Sequence, residues 1–222
     1  MSRAKMTWVS ALALATMPAW AQIQSSEPVI SGGGQGWSIY GGQTVGVGSN
    51  VIAAQVGWPG ISLTYLYGAA RELDFGARLT PFNYGFEGRF DVRTGMKLQG
   101  VVRLSLLDAG RFSLGLEFAP GPLIYWLRND TQWGLAFPIK LQMGLGVGSA
   151  MMLNFGIDFP MFVTFNVDPS LYLPILGGVG LEYFIDRRIA ITFNVRMGPS
   201  IQTSNNTTAF AMDALVGGSY KF

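Results

Sequence analysis

The chain has 222 residues, 49% of them apolar and only 13% charged, about half the ~25% charged usage of ordinary soluble domains. It contains no cysteine and no histidine, which excludes a disulfide framework, thiolate or imidazole metal sites and any mechanism with a histidine base. The formal charge of +2 is no argument for nucleic acid, because Arg3 and Lys5 fall in a segment expected to be removed.

Residues 1–21 read as a cleaved secretory signal peptide. Arg3 and Lys5 supply the positive start, Met6 to Met17 a short apolar run, and Ala19 and Ala21 the small residues before the cut. That apolar run is short of the ~20 residues needed to span a bilayer as a helix. Residues 22–43, with Pro28 and Gly32-Gly33-Gly34, read as a flexible Gly/Ser-rich lead-in; a plug inside the fold is the alternative.

Over residues 44–222 the pattern acquires a period of two. Leu73, Phe75, Ala77 and Leu79 alternate with Asp74, Gly76, Arg78 and Thr80. Phe112, Leu114, Leu116 and Phe118 alternate with Arg111, Ser113, Gly115 and Glu117. In these and the similar segments every charge falls on one face, which a helical period of 3.6 would scatter. The predicted strands are 44–57, 61–70, 73–84, 91–107, 111–126, 133–147, 150–167, 172–185, 188–201 and 208–222. Every second connection is short (Ala70 to Glu72, Asp108 to Gly110, Gly148-Ser149, Asp186-Arg187), and the intervening ones are polar or contain proline. Trp58-Pro59-Gly60 is tight although it belongs to the second set.

This reads as all-β: one antiparallel up-and-down transmembrane β-barrel of ten strands, within a range of eight to twelve. A soluble barrel would show Leu, Phe and Ile over most of its outside, beyond what soluble surfaces tolerate. In lipid the same surface is required, and closure pairs every backbone group. Trp58, Trp126, Trp133 and Tyr172 fall at predicted outer strand ends, and Tyr67, Tyr183, Tyr220 and Phe222 at the opposite ends. These are read as two membrane-interface girdles. The inward face would carry a lumen charge network of Asp74, Arg78, Arg93, Lys97, Arg103, Glu117, Lys140, Asp158, Glu182, Arg196 and Asp213. Opposite charges on neighbouring strands favour a filled interior, while inward glycines such as Gly144, Gly146 and Gly156 keep a passage open as the second reading.

The last stretch, Phe210 to Phe222, alternates to an aromatic end, with Tyr220 and Phe222 at the third-last and last positions. It resembles the carboxy-terminal signal strand of bacterial outer-membrane β-barrels. The resemblance implies export to the outer membrane of a Gram-negative-type bacterium, insertion in its lipid, and recognition of this strand by the barrel assembly machinery. Omptin-type proteases, outer-membrane phospholipases and lipid A deacylases use a histidine, so none of those mechanisms transfers. The expected function is non-enzymatic, structural or surface-binding through the outer loops, with no catalytic residue, metal or cofactor. The alternative is a narrow porin-like channel for ions or small solutes.

Overall fold

The computed structural model describes residues 35–85, 92–126, 130–166, 169–204 and 206–222. The expected signal peptide, most of the lead-in, and much of the long connections lie outside the described residues.

Fourteen strand segments form a closed antiparallel barrel of ten strands. Four barrel strands are single segments at the start: β1 (Asn50–Trp58), β2 (Gly60–Ala70), β3 (Leu73–Gly85) and β4 (Val92–Asp108). The next four are each split in two: β5 and β6 (Phe112–Phe118, Gly121–Trp126), β7 and β8 (Thr131–Ala136, Ile139–Val147), β9 and β10 (Met151–Phe159, Phe162–Thr164), β11 and β12 (Ser170–Pro174, Leu176–Phe184). The last two are β13 (Ile189–Gln202) and β14 (Thr207–Lys221). Each split has a proline at or beside it: Pro120, Pro138, Pro160 and Pro174. Proline has no N–H to give to a ladder, so pairing is interrupted there. The walls stay continuous, because β4 pairs with both β5 and β6, and β13 with both β11 and β12.

The ring closes where β1 meets β14, from Val51 opposite Lys221 to Trp58 opposite Ala214. Asn50 and Phe222 exchange two backbone hydrogen bonds of 2.9 Å at the seam. This end of the barrel, here the terminal end, also carries the short turns after Ala70, Asp108, Val147 and Phe184. Leu63, Phe75, Leu98, Phe155 and Phe193 all face outward and are exposed. Among the described side chains within the strands, every charge except the end residue Asp108 turns inward or lines the interior.

The first strand starts later than expected, at Asn50 rather than Thr44. Trp37 to Val45 are buried instead, so the last part of the expected lead-in, through residue 43, is an ordered segment inside the barrel. It leaves the lumen through a turn with positive φ at Gly46 (91°) and Gly48 (73°), backbone that glycine adopts without the Cβ penalty. Gly48 N–H donates to Gly68 O at 2.8 Å, and a Cβ on Gly68 would stand 1.9 Å from Gly46 O. Two glycine backbones therefore let the chain pass tightly over β2 into β1.

Candidate functional site: a plugged and ion-paired lumen

Among the described residues the segment 37–45 has no strand partner, so its backbone groups need side chains. The lumen charges supply them. The Arg103 guanidinium donates to the carbonyls of Ser38, Gly41 and Gln43 at 3.0, 3.1 and 3.0 Å, and pairs with Asp74 at 3.4 Å. Asp74 accepts from the Val45 amide at 3.1 and 3.2 Å. Across the barrel Glu182 accepts from the Ile39 amide at 2.8 Å and from the Ser38 hydroxyl. Gly42 N–H donates to Ser113 Oγ at 3.1 Å. At the terminal end the Trp37 indole donates to Arg187 O at 3.0 Å and meets the Phe184 ring edge-on, with centroids 5.3 Å apart. Lys221 lies over the same indole at 5.9 Å.

Several inward glycines lie close against this plug or against a belt arginine. A Cβ on Gly42 would meet the Leu114 backbone at 2.2 Å, and one on Gly115 would meet Gly42 Cα at 2.9 Å. A Cβ on Gly144 would stand 3.3 Å from Gly41 Cα. The space over Gly156 is taken by the Arg196 guanidinium, 2.4 Å from where a Cβ would sit.

Beyond the plug a chain of ion pairs crosses the lumen. Arg78 pairs with Glu117 at 2.9 Å, Lys140 lies 3.7 Å from both Glu117 and Asp158, and Arg196 meets Asp158 at 2.5 Å. The sequence brings Arg103 opposite Glu117 and Arg196 opposite Asp213 in register. Both arginines find their carboxylates elsewhere, Arg103 on β3 and Arg196 on β9. Glycines at 156 and 178 leave room for the Arg196 side chain along the wall. Lys97 and Asp213 line the cavity above this belt, and Arg93 lies in β4 with its side chain outside the described ones.

Of the expected girdle residues, Tyr67, Trp126, Trp133, Tyr183, Tyr220 and Phe222 are exposed on the outer face, and Trp58 is half-buried beside the β1–β2 turn. Tyr220 and Phe222 stack at 5.9 Å. Tyr172 is a correction: it is 2% exposed and stacks on Phe162 inside the barrel, at 4.4 Å and 3°. It shares the even-numbered face of Glu182, and the period of two decides its direction over its position near a strand end. With Leu123, Tyr125 and Ala136 it forms an interior apolar cluster, which position-based reading missed.

The closed ring, the apolar exterior and the inward charges decide the fold.

The chain is a closed, ten-stranded antiparallel β-barrel with an apolar outer face.

No family model and no curated protein matches this barrel. Among solved structures it is similar to the outer membrane protease OmpT from Escherichia coli, with a TM-score of 0.48 and 9% identity over 78% of this chain and 93% of that one. It is also similar to Ail, the attachment invasion locus protein of Yersinia pestis, with a TM-score of 0.26 and 9% identity over 80% and 100% of the two chains. At these values neither likeness carries an activity across.

Proposed function

We propose that this is a non-enzymatic outer-membrane protein whose barrel is closed and which acts through its loop-bearing end, with the terminal end in the periplasm. The observation that carries the reading is the plug, 37–45, held from opposite walls by Arg103 with Asp74 and by Glu182. A narrow channel is the second reading, and the cavity beyond the ion-pair belt is what keeps it in view. The lumen carboxylates Glu117 and Asp158 are each engaged by two cations, which supports a fastening role for them over acid–base work. The partners in this reading are outer-membrane lipid around the apolar wall, the assembly machinery at Tyr220 and Phe222, and a ligand at the outer end.

Liposome swelling tests it. Vesicles holding refolded residues 22–222, with folding verified by a heat-dependent gel shift, should exclude small sugars and amino acids as well as protein-free vesicles do. Swelling in proportion to protein content would favour the channel.

A further inference from the structure

The short turns at the terminal end differ in charge. Arg71 is followed by Glu72, Asp108 shares its turn with Arg111, and Gly148-Ser149 carries no charge. The turn between β12 and β13 holds Asp186, Arg187 and Arg188, so among these turns it alone keeps one net positive charge. Both arginines are exposed, and among the described residues neither makes an ion pair.

The backbone of this turn is clamped. Asp186 Oδ1 accepts from the amides of Arg188 and Ile189, both at 2.7 Å. The Ile185 amide donates to Ile189 O at 2.9 Å, and the Lys221 amide to Arg188 O at 2.8 Å. The Arg187 carbonyl accepts from the Trp37 indole at 3.0 Å. The acid of the turn therefore serves the backbone, and two guanidinium groups project from a fixed base. A guanidinium presents a planar fork of donors that matches the oxygens of a phosphate.

The wall beside the turn is apolar. Ile185, Ile189, Tyr220 and Phe222 are exposed there, at the level where amphipathic rings meet lipid headgroups. Farther from the terminal end the outer face has a depression. Exposed Gly218 on β14 stands opposite exposed Ala54 on β1, with the larger Ile191 and Leu63 on the flanking strands and Val216 and Tyr220 along β14. The register runs through Gly218 without a bulge, and a Cβ there would meet only Ala190 O, at 3.7 Å. Neither a bulge nor a close backbone approach calls for this glycine, which leaves the approach of a ligand as its reason. Gly218 lies three residues along β14 from Lys221, the backbone neighbour of Arg188, a span of about 10 Å in an extended strand.

We infer that this outer face beside the seam binds one anionic glycerophospholipid, with its phosphate on Arg187 and Arg188 and an acyl chain over Gly218 and Ala54. The single negative charge of the phosphodiester matches the one net positive charge of the turn. A zwitterionic headgroup would bring an ammonium that gains nothing from two arginines. The inference rests on the reading of the barrel as a membrane protein.

The experiment is native mass spectrometry of refolded residues 22–222, with folding verified by the heat-dependent gel shift. The protein is released from amine-oxide micelles holding equal amounts of dioleoyl phosphatidylglycerol and dioleoyl phosphatidylcholine. The one-lipid adduct should favour phosphatidylglycerol. The double variant Arg187→Gln/Arg188→Gln should weaken that preference about fivefold for each charge removed. Arg71→Gln/Arg111→Gln, in turns without net charge, should leave it in place. Gly218→Leu keeps every arginine and should lower the phosphatidylglycerol adduct severalfold by filling the depression. Equal adducts of the two lipids, the same loss in both double variants, an adduct untouched by Gly218→Leu, or a lipid-free dimer on this face would overturn the inference. Folded protein that takes up neither lipid would instead count against the membrane reading beneath it.

Discussion

Arg103 is the side chain that turns a loose segment into a plug. It is buried, it answers three carbonyls of the plug, and its charge is matched by Asp74. Removing one partner of a buried pair leaves the other uncompensated, at roughly 3–5 kcal/mol. Arg103→Ala should therefore lower stability to urea by about that amount, followed by gel mobility, and move Trp37 fluorescence to the red as the indole becomes wet. A red shift with unchanged stability would mean Arg103 positions the plug without fastening the barrel. Glu182 offers a graded version. Glu182→Gln keeps an acceptor for the Ile39 amide or the Ser38 hydroxyl and should cost little, whereas Glu182→Ala strands both and should cost about 1–3 kcal/mol. Equal effects of the two variants would show that the charge, not the acceptor, matters. The sequence made these residues legible as inward charges, since the period of two puts Arg103 and Glu182 on the polar face. It did not show what they hold. Arg103 reaches Ser38 across 65 positions and Glu182 reaches Ile39 across 143, and no local pattern encodes such distances. Tyr172 departs from expectation for a different reason: it lies near a strand end, but its parity with Glu182 turns it inward.

At the scale of elements, prolines and glycines set the departures from ten plain strands. Pro120, Pro138, Pro160 and Pro174 split four runs that the alternation had drawn as continuous, yet the runs remain barrel strands because neighbours pair across the gaps. The plug depends on the close approach of Gly42 to the Leu114 backbone. Gly42→Ala would force that contact to 2.2 Å, and overpacking of this kind costs about 1–3 kcal/mol. Residues 37–45 should then exchange their amide hydrogens faster than in the native barrel while the strands keep their protection. Unchanged exchange would show that the segment can shift without loss. The closing strand makes a separate prediction. Phe222 completes the seam with Asn50 through two backbone bonds, so deleting it should reduce the outer-membrane fraction of the protein in cells severalfold. Normal insertion would remove the basis for reading Tyr220 and Phe222 as an assembly signal.

For the whole molecule, the low charge content and the single-faced charges were enough to specify a closed barrel with an apolar outside. Whether the inside is open was not legible, because it depends on a segment whose sequence reads as a linker. Residues 37–45 carry Trp, Ile, Tyr and Val among Ser, Gly, Gln and Thr, a mixture too short to form a strand pair of its own. Its polar backbone is satisfied only once the barrel surrounds it. The ion-pair belt from Arg78 to Arg196 then adds a second layer across the same lumen. Among the described residues, a cavity of about 110 Å³ lies beside this belt toward the loop-bearing end. The measurement to make first is planar-bilayer conductance of refolded residues 22–222, beside the Arg103→Ala variant. Folded native protein should be electrically silent, and the variant should show intermittent steps as the plug loosens. Discrete ohmic steps from the native barrel, unchanged by the substitution, would contradict a plugged lumen.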